Sequence, residues 1–272
     1  MRIYISSDIE GVAGVVDGEQ GRPGNAEHER ARRLMTHEVN AAIAGAVEGG
    51  ATEILVNDSH GPMRNLIIED IDGRARLISG KPKPVSMMEG LSSDYAGVFA
   101  LGYHARAGSH GILAHTINGF AFARITVNGT DFGESGLYGG YAGEIGVPVI
   151  LFSGDDCLKA EVGPLFPGAE IVEVKRVITN TAAESMTPKA AREAIKAGAA
   201  RAVARAKEIK PFRVLPPITV RVELNSVPLA DLMSLLPGNE RSAPRAVTFT
   251  AGSMRMVIRT LNSMSAMSFM LR

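Results

Sequence analysis

The chain has 272 residues, 45% hydrophobic and 21% charged, a globular balance that excludes a disordered or fibrous protein. Lysine plus arginine equals aspartate plus glutamate, 29 against 29, so no overall basic field exists to draw in nucleic acid or an anionic membrane. Cys157 is the single cysteine, which excludes an internal disulfide and any cysteine-based zinc site; a metal would have to sit on His, Asp and Glu.

Residues 2–7 alternate and are β-rich, ending at Asp8-Ile9-Glu10-Gly11. This opening run lacks the charged and apolar regions of a signal peptide, and no stretch approaches the ~20 apolar residues of a membrane span. The cytoplasm is therefore the expected compartment. A Gly-rich stretch runs to Gly24. The spacing of Leu34, Val39, Ile43 and Val47 predicts a helix over 27–48, stopped by Gly49-Gly50. A strand at 53–57 ends in Asp58-Ser59-His60-Gly61. Residues 76–79 are a further candidate strand. A buried-type strand at 97–101 ends in Gly102-Tyr103-His104.

Residues 120–128 read as strand, with Asn128-Gly129 a hairpin turn. A small-residue helix opens at Gly133-Glu134 and runs to about Ile145. Strands follow at 147–152 and 171–174. Thr187-Pro188 reads as an N-cap with proline in the first turn, opening a helix to about Ile209. After the break at Pro211, Pro216 and Pro217 come a strand at 218–224, a short helix near 228–236, a strand at 246–250 and a helix from Ser253 to Phe269. The methionines of this tail (Met254, Met256, Met264, Met267, Met270) read as packing or subunit-contact surface.

Strands alternating with helices predict an α/β fold. Residues 1–210 read as a three-layer α/β/α domain around a largely parallel sheet. Residues 211–272 read as a smaller α/β part, with the 117–131 hairpin as its packing partner.

Three of the predicted strands end in residues that bind metals: Asp8 and Glu10, His60, and His104. Parallel sheets bind ligands at the carboxyl ends of their strands, beside a switch in strand order, so these side chains can converge. Asp8 and Glu10 are two apart and point to one side in extended chain. Gly11 frees the backbone to turn away. Glu134 sits at a helix start, where the dipole favours a carboxylate. Two histidines and three carboxylates suit zinc or manganese. A central carboxylate, here Asp8, can bridge two ions that activate water and polarise a carbonyl. His115 is either a further metal group or the acid–base residue that moves protons to the leaving amine.

Other polar residues have plainer readings. His28, His37 and His110 are expected to face solvent. Asp58 either orients His60 or shapes its turn. Asp155-Asp156 is expected to cap a helix. The first strand is followed by Gly11-Val12-Ala13-Gly14, which lacks the third dinucleotide glycine; no Walker loop and no Gly-x-Ser-x-Gly elbow occurs.

Ser6-Ser7-Asp8-Ile9-Glu10-Gly11 resembles the Ser-x-Asp-x-Glu-Gly signature of the zinc-dependent D-aminopeptidases, the DppA-like family. The likeness continues through Val56-Asn57-Asp58-Ser59-His60, Ile78-Ser79-Gly80, Met88-Glu89-Gly90-Leu91 and Leu101-Gly102-Tyr103-His104-Ala105-Arg106-Ala107. It then takes in His115, Asn128-Gly129, Gly133-Glu134-x-Gly136-Leu137, Ser153-Gly154-Asp155-Asp156 and Leu236-Pro237-Gly238, so it covers nearly the whole chain in order. The stretch between Gly11 and Glu27 and the last helix depart most from the family pattern.

The resemblance implies two zinc ions per subunit on Asp8, Glu10, His60, His104 and Glu134, with His115 as the catalytic histidine. It further implies release of N-terminal D-amino acids from short D-Ala-containing peptides, by a homo-oligomer built as a decamer of two stacked pentamers. Two readings compete with this aminopeptidase. One is a related amidohydrolase acting on other small amides or L-peptides. The other is a non-catalytic peptide-binding protein, which would have no need of so complete a ligand set.

Overall fold

The computed structural model describes all residues, 1–272. Strands β1 (Arg2–Ser7), β2 (Glu53–Asp58), β3 (Ala75–Ile78) and β4 (Gly97–Leu101) are joined by one long helix, α1 (Ala26–Glu48), and by loops with short helical turns. The hairpin strands β5 (Phe122–Val127) and β6 (Thr130–Asp131) follow. Then come α2 (Glu134–Glu144), β7 (Val149–Asp155), α3 (Asp156–Leu165), β8 (Glu170–Thr179), β9 (Ala182–Ser185) and α4 (Pro188–Ala204). The chain closes with β10 (Ile218–Leu224), α5 (Val227–Met233), β11 (Glu240–Ala243), β12 (Ala246–Ala251) and α6 (Met254–Met267).

Seven strands form one sheet in the order β3-β2-β1-β4-β7-β8-β9, parallel throughout except for the antiparallel β8–β9 pair at one edge. Both faces are covered. Ile3 and Ile5 belong to one core cluster, with Val39 and Ile43 of α1 and Ile195 and Ala199 of α4. Tyr4, Val98 and Ala100 point the other way, into a cluster with Leu137 and Tyr138 of α2 and Leu158 of α3. The period-two alternation of side chains thus feeds two apolar layers, which explains strands apolar at nearly every position. The α/β/α expectation holds.

The second sheet has five strands, β11-β12-β10-β5-β6, all antiparallel. Strands from the tail pair directly with the mid-chain hairpin, Val220 opposite Val127 and Val222 opposite Ile125. Its apolar face joins the α2–α3 cluster together with Met254, Val257, Ile258 and Leu261 of α6. One continuous core therefore links the two sheets. The hairpin turn has Asn128 and Gly129 both at positive φ, 48° and 83°, as a two-residue hairpin requires.

Several element ends differ from expectation. β8 runs to Thr179 because its far half pairs with β9, an edge strand whose short polar sequence carries little signal. β11 was hidden for the same reason. α4 stops at Ala204, short of Ile209, and a single tight turn at 206–208 follows. Within the tail, Met254 and Met264 are core residues, whereas Met256 and Met270 are exposed. No helix is long and apolar enough to cross a membrane.

Candidate metal centre

Strand order places the site. From β1 the chain moves outward through β2 to β3, then returns to the other side of β1 for β4. The switch point lies at β1, and its carboxyl end is where loops part to leave a crevice. β1 delivers Asp8 and Glu10 there, β2 delivers His60 and β4 delivers His104. Glu134 is the first residue of α2, and its Oε1 accepts a 2.6 Å bond from the Ile117 N–H. The structure brings all five residues together, and all five are nearly fully buried.

Two glycines make the convergence possible. A Cβ on Gly11 would lie 1.9 Å from the Tyr103 carbonyl oxygen. A Cβ on Gly102, whose φ is +65°, would lie 2.3 Å from the Asp8 carbonyl oxygen. The loops after β1 and β4 touch backbone to backbone, joined by a 2.7 Å bond from Gly11 N–H to Gly102 O. Gly11 is needed for close approach; its φ is not in the left-handed region.

The geometry divides into overlapping groups. Asp8 Oδ1 lies 3.1 Å from His60 Nδ1, and Glu10 Oε2 lies 3.0 Å from that same nitrogen. The other Asp8 oxygen, Oδ2, lies 3.6 Å from His104 Nε2, which is 3.5 Å from Glu134 Oε1. Asp8 thus faces a different histidine with each oxygen. His115 is half-buried, with Nε2 3.9 Å from Glu134 Oε1 and 4.0 Å from Glu10 Oε1. Its ring stacks on that of His104, centroids 4.2 Å apart.

Each histidine commits one nitrogen to a backbone carbonyl: His60 Nε2 to Gly21 at 2.8 Å, His104 Nδ1 to Ala105 at 2.9 Å, and His115 Nδ1 to Leu113 at 2.9 Å. A carbonyl only accepts, so that nitrogen carries the hydrogen. In the neutral ring the other nitrogen then turns a lone pair toward carboxylate oxygens, which are lone-pair bearers too. Positive charge has to lie between them. His104 Nε2 and Glu10 Oε2 are buried without any hydrogen bond. Ligand atoms ~2.0–2.1 Å from a tetrahedral zinc sit roughly 3.3 Å from one another. The 3.0–3.6 Å separations fit that spacing.

The electrostatics carry the same message. Burial lifts the Asp8 carboxyl to about 7, and the Glu10 charge beside it adds to the rise. Burial would by itself favour neutral His104, yet Glu134, Glu10 and Asp8 outweigh it and raise that imidazole to about 10. His60 is likewise raised well above its ordinary value, Glu10 and Asp8 overcoming burial. Glu10 and Glu134 are lowered against burial, chiefly by His60 and His104 respectively. The pocket attracts cationic charge strongly.

Supporting residues went unmarked in the sequence. Lys175 is fully buried, and its ammonium donates to the carbonyls of Glu10, Val12 and Val15, tying down the loop that bears Glu10. Buried Glu38 accepts from Ala13 N–H in that same loop. A lysine on a strand and a glutamate mid-helix carry no local signal of this kind. Asp58 does not touch the His60 ring; it accepts from the backbone N–H groups of Asn65 and Leu66 and shapes the loop. The ring is oriented by the Gly21 carbonyl instead. His28, expected at the surface, is buried against Asn65, because α1 turns that face onto the His60 loop. His37 and His110 are exposed. Asp155 caps α3, accepting from Leu158 N–H at 2.7 Å. The His115 loop holds two non-glycine residues at positive φ, Leu113 at 50° and Ile117 at 60°, a strained backbone at the site.

The profile of peptidase family M55, the D-aminopeptidases, matches residues 1–263. The chain belongs to this family. It is a peptide hydrolase. It is 36% identical over 255 residues to the D-aminopeptidase of Bacillus subtilis (strain 168), covering 93% of each chain. Its fold matches the solved structure of the Zn-dependent D-aminopeptidase DppA from Bacillus subtilis, described as a self-compartmentalizing protease. The TM-score is 0.96 at 33% identity, over 99% of this chain and 98% of that one.

Proposed function

We propose that this protein is a zinc-dependent D-aminopeptidase that holds two zinc ions and releases N-terminal D-residues from short peptides of the D-Ala-D-Ala type. The observation that carries the reading is Asp8, whose two oxygens face two separate histidine–carboxylate sets, as a bridging carboxylate does. Asp8, Glu10 and His60 would hold one ion; Asp8, His104 and Glu134 would hold the other. Bound there, the ions supply Lewis acidity toward the scissile carbonyl and acidify water. The names of the relatives support zinc and the D-peptide substrate.

His115 acts as the proton carrier in this reading. Its Nδ1–H is held by Leu113, which leaves Nε2 free to take a proton from water and pass it to the leaving amine. Stacking on His104 fixes the ring plane. The self-compartmentalizing neighbour supports a closed homo-oligomer with its sites screened from folded proteins; the decamer of two pentamers is the form that the family resemblance implies.

His115→Ala tests the assignment. It should keep the zinc content of the parent and lose turnover by about 10²–10⁴-fold. Near-normal turnover would remove His115 from the mechanism. Elemental analysis giving two zinc ions per chain, with cleavage of D-Ala-D-Ala far ahead of L-Ala-L-Ala, would support the whole reading. Fewer ions or equal cleavage of both peptides would overturn those parts of it.

A further inference from the structure

Beside the metal centre lies a cleft of about 640 Å³, within the ~300–1,000 Å³ range of small-molecule sites. Its walls come from the loops after β2 and β3, the loop before β5, the start of α2 and the end of α6. Glu134 is the only acidic residue in the lining, and it belongs to the metal centre. The charged residues elsewhere in the lining are Lys81, Lys83 and Arg272. None of the three cations lies within ion-pair distance of a carboxylate. Met63, Met87, Ile117 and Phe269 supply apolar surface to the lining.

Lys83 is the fixed member of the three. It is 9% exposed, and its Nζ donates to Asn57 Oδ1 at 2.6 Å and to the Asp58 carbonyl at 2.7 Å. Both partners precede His60 on the same strand end. An ammonium has three donors, and two are spent, so one N–H remains. The nearby Glu89 carboxylate makes no ion pair with it, and one of its oxygens accepts from Val85 N–H at 3.0 Å. A nine-tenths-buried cation with a spare donor, in the wall of a cleft whose one acidic lining residue is Glu134 of the metal centre, calls for an anionic ligand group.

We propose that this cleft seats the leaving portion of the peptide, with Lys83 anchoring its free α-carboxylate and Lys81 and Arg272 adding positive charge around it. The inference rests on the aminopeptidase reading and narrows its substrate class to short peptides that end in a free carboxylate close to the cut bond. The metal centre would receive the amino-terminal residue, and the cations of the lining the carboxyl terminus. A single cleft would then measure both ends of the peptide.

The test compares D-Ala-D-Ala with its C-terminal amide on zinc-loaded protein. The parent should favour the free acid by at least about tenfold in kcat/KM, the scale of one charge-assisted hydrogen bond. Lys83→Met should collapse that preference to near unity through KM, with zinc content unchanged, and Lys83→Arg should restore part of it. Equal use of acid and amide by the parent would overturn the proposal. So would a Lys83→Met variant that loses both peptides in equal measure, since that is the mark of a structural role. Calorimetric binding of the two peptides to zinc-loaded His115→Ala separates this proposal from the hydrolase reading. Preferential binding of the acid without turnover in the parent supports the anchor while sinking the aminopeptidase; equal binding of acid and amide sinks the anchor alone.

Discussion

The two sheets do different work with different sequence. The parallel sheet gathers charge: its strand ends bury Asp8, Glu10, His60 and His104 against one another, with Lys175 and Glu38 buried just beneath. The antiparallel sheet gathers apolar surface, setting Val220, Val222, Val247 and Phe249 against α6. Burying like charges is unfavourable without a cation, so the first region is organised around a ligand. The second contributes stability by ordinary burial. Changes in the first should therefore register in metal content and catalysis. Changes in the second should register in stability.

The strongest way to break the contrast is Asp8→Asn. Removing the shared charge should lower zinc stoichiometry, read by elemental analysis, and cut turnover about a thousandfold, ~4 kcal/mol of transition-state stabilisation. Full zinc loading would show that Asp8 does not bridge. Gly11→Ala should come next. The added methyl has no space against the backbone of Tyr103, so the loops after β1 and β4 must separate. Zinc affinity should weaken by about 10–100-fold, as for other residues that orient ligands. Unchanged affinity in a competition titration would mean that the loops can part without moving the ligands.

Phe249→Ala sharpens the other side. It should cost about 3–5 kcal/mol in urea denaturation while zinc per folded chain and turnover per folded chain stay at parental levels. A drop in turnover of the folded fraction would tie the antiparallel sheet to the chemistry. A pH slope is the subtler readout. Burial pushes the Glu38 carboxyl from 4.5 up to about 7, with Ala13 N–H and the Lys175 charge only partly opposing it. The folded protein then binds this proton more tightly than the unfolded chain, so stability falls as pH rises from 4.5 through 7. Glu38→Gln should flatten that slope by about 3 kcal/mol at most, measured by urea denaturation of metal-free protein. An unchanged slope would place the titration elsewhere.

Strand ends were legible because their signal is local. A β-rich run followed by Asp8-Ile9-Glu10-Gly11 carries its own geometry, as do the N-caps Thr187 and Asp155 and the hairpin at Asn128-Gly129. The short edge strands β9 and β11 were not legible, because partners decide them and their own residues do not. His28 was misread for a similar reason: helical spacing gives a face, and only packing shows what that face meets.

By itself the sequence determined most element types, the parallel α/β layering and the candidate metal-binding residues, since each depends on periodicity, capping or residue chemistry within a few positions. The tertiary structure alone decided the strand order that gathers those residues at β1, the pairing of the tail with the mid-chain hairpin, and the placement of Lys175, Gly21 and Lys83 around the site. These are contacts across many tens of residues, selected by the packing of the whole chain, and no local pattern encodes them.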